Sequence, residues 1–270
     1  MKSKLLTRIF FYLMVVGIAL VVLFPFLWML SSSFKTQVDI ISWPPKLFFE
    51  PTLQNYRKVF EEQNFLKYFM NSTIVGAVAV GLSLLLGLPA AYSIARFKQN
   101  RLAIFILLAR LMPGISFLMP WYIIFSRLDL MDSYVALILS HMLIALPIVV
   151  WIMSTYFSAI PRELEESAMV DGATRQYAFL RIILPLSAPA LAVLAIFSVM
   201  WRWNDFLLPR LVLTPETQTL PLSTYLFYGQ YSTEYGQAMA GLLLAVLPII
   251  VFYLILQKQF ISGISSGAVK

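Results

Sequence analysis

Residues 165–189 read EESAMVDGATRQYAFLRIILPLSAP. Three acids (Glu165, Glu166, Asp171) and two arginines (Arg175, Arg181) stand here around a single glycine, Gly172, with apolar sequence on both sides. Pro161 suits the first turn of a helix, and Glu163, Glu165 and Glu166 crowd that helix's positive end. Gly172 offers the left-handed conformation that ends a helix and turns the chain sharply. Thr174 can cap a second short helix with Tyr177, Leu180 and Leu184 on one face, and Pro185 and Pro189 mark the passage into the next apolar run. Local chemistry therefore predicts two short helices joined at an elbow, folded and charged, between hydrophobic segments.

What surrounds the elbow decides its setting. The chain has 270 residues, 60% hydrophobic and 12% charged, with a mean hydropathy of +0.81. Soluble domains are nearer 45–50% apolar and about 25% charged, so composition alone makes this a membrane protein. There are no cysteines, which excludes disulfides, thiolate metal sites and cysteine nucleophiles. A helix needs about 20 mostly apolar residues to cross ~30 Å of hydrocarbon. Six such runs occur, at 9–30, 71–94, 103–125, 133–157, 187–209 and 238–257. The backbone must satisfy itself in lipid, so these runs are read as helices and the fold class as an all-α polytopic membrane protein with six transmembrane helices. Lys2, Lys4 and Arg8 precede the first run as in a signal peptide, but its ~20 apolar residues exceed a signal's 7–15 and no small-x-small cleavage site follows. An uncleaved helix is expected.

Charge placement orients the bundle. With the N-terminus inside, the inner segments 1–8, 95–102, 158–186 and 258–270 hold eleven Lys/Arg against four acids. The outer segments 31–70, 126–132 and 210–237 hold seven against eight. The basic excess belongs in the cytoplasm, so both termini and the 158–186 elbow are assigned there. The net charge of +7 is then a record of topology and not a nucleic-acid footprint. An interfacial helix pair lying on headgroups is one reading of the elbow. Such helices favour Lys/Arg, however, and anionic lipid repels an acid-rich start; a protein partner fits better.

Glu166-Ser167-Ala168, three residues, Gly172, nine residues, then Ile182-x-Leu184-Pro185 resembles the EAA loop of ABC-importer permeases. The spacing is that of the family pattern, with Ser167 where the family usually has Ala. The likeness extends to Asn71-Ser72, "AAYSIARF" at 90–97, "RLMP" at 110–113, "WNDF" at 203–206 and the tail "GISSGAVK" at 263–270. Together these are similar to the smaller six-span permease of carbohydrate (maltose-type) importers.

The resemblance implies one N-terminal helix (1–30), an external loop (31–70), a five-helix permease core (71–260) with its coupling loop at 158–186, and a cytoplasmic tail (261–270). It implies a cytoplasmic (inner) membrane protein of a bacterium or archaeon. It implies a dimer of ATP-binding subunits, a second permease and an extracytoplasmic solute-binding protein as partners, and no nucleic acid. Glu165, Glu166, Ala168, Asp171 and Gly172 are then expected to meet the ATP-binding subunit, Gly172 as the elbow. No cofactor is expected on this chain, since it has no G-x-x-x-x-G-K-[ST] loop; ATP is hydrolysed by a partner.

Other features carry two readings each. Gly263-Ile-Ser265-Ser-Gly267 matches a nucleophile elbow in form, but no acid and no histidine follow it, and a flexible tail is expected. Asn71-Ser72-Thr73 is a glycosylation sequon or a packing and capping pair. The small residues Ser83, Gly87, Ala91 and Ala95 allow close helix approach, within the chain or between permeases. His141, the only histidine, has no carboxylate company in its own span and is read as packed or pore-facing. Arg110, about 13 Å into the third span, marks the pathway or an interhelix ion pair. Pro113, Gly114 and Pro120 should break that helix where backbone lines a cavity. Arg202, Asn204 and Asp205, among Trp201, Trp203 and Phe206, contact a sugar or anchor an interfacial belt. Arg110, Pro113, Asn204 and Asp205 are the substrate-pathway candidates. The alternative function is a secondary transporter or channel for a small polar solute, though Asp205 is the only intramembrane acid. No Ser/His/acid constellation points to an enzyme.

Overall fold

A computed structural model describes residues 2–214, 217–224 and 234–268, with side chains from residue 7 to 258 within those ranges. Among the described residues there are helices and no strands. They fall into two compact units, residues 1–66 with 223–247, and residues 67–222 with 248–270.

The first unit opens on α1 (Lys2–Ser33), whose Thr7–Ser33 portion is apolar on every side, as a lipid-facing helix must be. After it come α2 (Gln37–Ile41) and α3 (Gln54–Glu61). These are held by polar contacts more than by a core. Asn55 Nδ2 donates to the carbonyls of Ser33 and Lys35 at 2.9 and 2.8 Å, and Tyr56 Oη meets Ser33 Oγ at 2.8 Å. Lys35, 2% exposed, donates to the Lys46 carbonyl and lies over the rings of Trp28 and Phe49. The 31–70 segment is thus a folded structure, and the next helix takes up its last residues.

That helix, α4 (Phe65–Phe97, 33 residues), starts six residues earlier than its expected span. The third span departs further from expectation. Instead of one rod over 103–125, α5 (Asn100–Leu111) and a 3-10 turn leading into α6 (Leu118–Arg127) meet at 87°. Met112 is extended (φ −74°, ψ 127°), as a residue before proline prefers, and Pro113 has no N–H with which to continue the ladder. Pro120 breaks nothing, because it falls in the first turn of α6, where the missing N–H has no partner to lose. At 1.5 Å per residue α5 is ~18 Å long, so neither limb crosses ~30 Å alone.

α7 (Tyr134–Ala159) is the central helix of the second unit, begun by Ser133 Oγ on the Ala136 N–H. The elbow follows as α8 (Glu163–Val170) and α9 (Arg175–Ala178), the latter continuing through a π-type turn to α10 (Leu184–Leu186). After a 73° bend at Ser187 comes α11 (Ala188–Trp203), which ends six residues short of the expected 209; α12 (Leu207–Val212) follows a break at residues 204–206. α13 (Leu220–Thr224) and α14 (Tyr235–Ala268) close the chain. α14 stays helical through the 263–267 stretch where a flexible tail was expected, and the preceding strand that a nucleophile elbow needs is replaced by helix. Among the described residues, four helices are long and apolar enough to cross a membrane, and counting each bent pair as one span gives six.

The core of this unit explains the small-residue stripe. A Cβ on Gly87 would come within 2.5 Å of Val149 Cγ1, so α4 and α7 approach at a distance only glycine permits. Ala91 and Ala95 continue that seam into a buried cluster of Val149, Met153, Phe157, Ile183 and Leu194. The stripe packs inside the chain. The Asn71-Ser72 pair also works internally: Asn71 Nδ2 donates to the Gln218 carbonyl (2.8 Å) and Ser72 Oγ accepts from the Leu220 N–H (2.8 Å). Nearby, the Asp132 carboxylate takes the Thr217 hydroxyl and the Thr214 N–H, which hold its pKa below the usual carboxylate value.

Candidate coupling elbow and intramembrane polar cluster

The elbow is built as its sequence predicts. The Arg162 carbonyl accepts from the N–H groups of Glu165 and Glu166, starting α8 with three acids in its first turn. At the other end the Gly172 N–H bonds the Met169 carbonyl (3.1 Å) and the Ala173 N–H the Ala168 carbonyl (2.9 Å), a Schellman ending with Gly172 at φ +89°. Thr174 Oγ1 then caps α9 by accepting from the Tyr177 N–H at 3.2 Å. Glu166, Asp171 and Gly172 are exposed and Ala168 is half-buried. Val170 beside them is 87% exposed, an apolar side chain at the tip of a charged loop that the sequence reading did not single out.

Glu165 is placed differently from its neighbours. Its side chain turns inward and is 4% exposed. Tyr92 Oη donates to Oε2 at 2.6 Å and Arg96 Nε to Oε1 at 2.5 Å, with Arg96 Nη2 in ion-pair contact on the same oxygen. Arg96 Nη1 reaches the Ile160 carbonyl (3.2 Å), and Arg162 Nη2 returns to the Arg96 carbonyl (2.9 Å). The Tyr92 ring packs at 4.7 Å from Phe179 and 6.2 Å from Phe157. α8 is therefore anchored to the end of α4 and to the residue that closes α7. The available signal was the one-turn spacing of Tyr92 and Arg96, which puts both on one face of α4.

A second gathering of polar groups surrounds the break in the third span. Arg110 is exposed, and its guanidinium lies 4.9 Å over the Trp201 ring. It makes no ion pair among the described residues, so the interhelix pair is not what holds it. Arg202 is 7% exposed, which sets it apart from an interfacial anchor; Nη2 donates to Ser83 Oγ (3.0 Å) and Nη1 to the Ser198 carbonyl (2.9 Å). Asn204 is exposed and folds back on the Met200 carbonyl at 2.7 Å. Asp205 Oδ2 lies 2.8 Å from His141 Nε2, while Oδ1 accepts from the Leu207 N–H at 3.1 Å. The carboxylate that His141 lacks in its own span comes from the end of α11, a meeting of residues 64 positions apart that no local pattern announces.

Three cavities adjoin this cluster. One of about 170 Å³ is lined by Gly114, His141, Trp201, Arg202 and Asp205; one of about 240 Å³ lies at Arg110, Met112 and Gly114; one of about 380 Å³ runs along Arg110, Ser198, Trp201 and Arg202. Arg110 lines two of these hollows and Asp205 the third, with Gly114, Trp201 and Arg202 shared between neighbouring ones. Asn204 lines none of these three.

Comparisons with known proteins agree with this architecture. Residues 83–266 match the family described as binding-protein-dependent transport system inner membrane component. The chain is 35% identical over 275 residues to the diacetylchitobiose uptake system permease protein DasC of Streptomyces coelicolor, with 100% of both chains covered. It is 37% identical over 266 residues to the trehalose transport system permease protein SugB of Mycobacterium tuberculosis, covering 95% of this chain and 94% of that one. In fold it is similar to a chain in the crystal structure of a bacterial ABC transporter involved in the import of the acidic polysaccharide alginate (TM-score 0.79, 20% identity, 96% and 98% covered). This multi-pass chain belongs to the family of binding-protein-dependent transport system inner membrane components, and is a transport permease, not an enzyme.

Proposed function

We propose that this permease forms one half of the translocation pathway of an ABC importer for a sugar or sugar-like solute. It sits in the cytoplasmic membrane of a bacterium or archaeon with both termini and the elbow in the cytoplasm. A pair of ATP-binding subunits hydrolyses ATP and grips the elbow at Glu166, Ala168, Asp171 and Gly172; a second permease completes the pathway, and a solute-binding protein delivers the cargo. The carrying observation is the elbow itself, a rigid helix–turn–helix tied to the bundle through Glu165 and Arg96 while Val170 and Asp171 face outward. Force transmission needs that combination of a stiff root and an open seat. The sugar reading is supported by relatives named for diacetylchitobiose and trehalose uptake. The pathway runs past Arg110, the break at Pro113, and the loop carrying Asn204 and Asp205, where a charge within a span is costly enough to imply use.

The test is reconstitution in proteoliposomes with the neighbouring transporter subunits. Sugar uptake that requires both ATP and the binding protein is the expected result. Uptake by this chain alone, driven by a proton or sodium gradient, would establish the secondary-transporter alternative.

A further inference from the structure

In the second unit, the end of α4, the start of α5 and the end of α7 surround a cavity of about 620 Å³. Its two ends differ in chemistry. Lys98, Asn100, Ser158 and Arg162 line it where the helices end. Arg96 ties these ends together, since its Nη1 reaches the Ile160 carbonyl and its own carbonyl accepts from Arg162 Nη2. Along α5, at 1.5 Å per residue, Ile104 and Leu107 follow about 6 and 10 Å beyond Asn100; on α7, Trp151 stands about 10 Å before Ser158. A polar, cationic end thus grades into an apolar one on both helices. The charge is unbalanced. Lys98 and Arg162 are exposed, and among the described residues neither has a carboxylate within ion-pair distance. No Asp or Glu lines the cavity: Glu165 is taken by Arg96, and Glu163, next to Arg162 in the chain, is not in its walls. The Ser154 and Thr155 hydroxyls of the middle wall donate at 3.0 Å to the Trp151 carbonyl, giving their protons to their own helix.

We propose that this cavity binds an anionic phospholipid, with its phosphate at the Lys98 and Arg162 end and an acyl chain toward Ile104, Leu107 and Trp151. Each end excludes a different competitor. A soluble anion answers the cations but leaves the apolar end to water. A neutral solute, a sugar included, answers neither charge. A zwitterionic lipid brings its own ammonium against Lys98 and Arg162. An anionic amphiphile matches both ends, and basic pockets between helices at a membrane surface suit such headgroups. Trp151, 52% exposed, is of the residue type that settles at the level of the headgroups. The site adjoins Arg96 and Arg162, the two arginines at the root of α8, and does not depend on which solute is carried.

The full-length chain in detergent is titrated with phosphatidylglycerol and, separately, with phosphatidylcholine, and bound lipid is counted by native mass spectrometry. The expected result is a phosphatidylglycerol held about 10-fold or more tightly than phosphatidylcholine and retained in excess inorganic phosphate. Lys98 has a left-handed backbone (φ +53°), which asparagine tolerates, so Lys98→Asn removes the charge and keeps the turn. It should weaken phosphatidylglycerol about 5-fold, and Lys98→Asn with Arg162→Gln about 25-fold. Arg101→Gln, on the same helix start but outside the cavity, should leave binding unchanged. Displacement by inorganic phosphate would make this a site for a soluble anion and overturn the proposal. Equal affinity for the two lipids, no retained lipid, or equal losses in Arg101→Gln and Lys98→Asn would overturn it as well.

Discussion

Tyr92 and Arg96, one turn apart on α4, each hold a different oxygen of Glu165: Tyr92 Oη lies 2.6 Å from Oε2 and Arg96 Nε 2.5 Å from Oε1. A carboxylate gripped on both oxygens has no rotational slack, so the first turn of α8 is fixed against α4. Removing one member of a buried pair leaves the other charge without compensation, at a cost of about 3–5 kcal/mol. Glu165→Ala is therefore expected to destabilise the purified protein by that order, and Tyr92→Phe, which deletes one bond to a charged group, by about 1.5–3 kcal/mol. Thermal unfolding in lipid nanodiscs measures the ranking; equal midpoints for the two variants and wild type would contradict the anchoring role.

Gly172 sits at φ +89° with open space where a Cβ would stand, so a side chain there is opposed by backbone conformation and not by a clash. Gly172→Val, β-branched, should distort the elbow at a cost of about 1–3 kcal/mol and abolish transport while membrane insertion persists. Gly172→Asn should keep more activity, since asparagine tolerates the left-handed region. Uptake assays on equal amounts of inserted protein decide it.

The α4–α7 seam gives a paired test. Gly87 meets Val149 at 2.5 Å from a built Cβ, whereas Gly76, eleven residues earlier on the same helix, has nothing within 4 Å. Overpacking typically costs 1–3 kcal/mol, so Gly87→Ala should lower the unfolding midpoint and Gly87→Leu should lower it further. Gly76→Ala should not lower it.

Acid should loosen the loop that Asp132 holds. The Thr217 hydroxyl first, and then the Thr214 N–H, pull this carboxyl below its ordinary value of 3.8. A carboxyl depressed in the folded state contributes stability that is complete above its unfolded value and disappears as pH falls through the folded one. Its contribution is thus constant from neutral pH down to about 4 and lost below. In a series of unfolding midpoints from pH 6 to 3, Asp132→Asn should start lower than wild type and converge with it at the acid end.

The elbow was readable because its determinants are local: acids at a helix start, a glycine where the backbone turns left-handed, a threonine that caps the next helix. The six apolar runs were readable because length and composition suffice for a span. The shape of the third and fifth spans was only half visible. Proline marked the break at Pro113, but no local residue pattern gave the 87° bend or the end of α11 at Trp203. Pairings across the bundle were hidden. Glu165 with Arg96 and His141 with Asp205 join residues 69 and 64 positions apart, and a single sequence records no distance between helices. The inward turn of Glu165 is the clearest case, since its neighbour Glu166, of the same chemistry, faces out.

Everything about energy coupling depends on the elbow being a seat for the ATP-binding subunit. The chain has no native cysteine, so Val170→Cys gives a unique thiol at the most exposed apolar position of α8. In the assembled transporter, a short thiol crosslinker from that position should join this chain to the ATP-binding subunit, with a yield that changes when ATP is bound. A thiol that reacts freely with water-soluble or lipid-borne reagents and never captures that subunit would contradict the account.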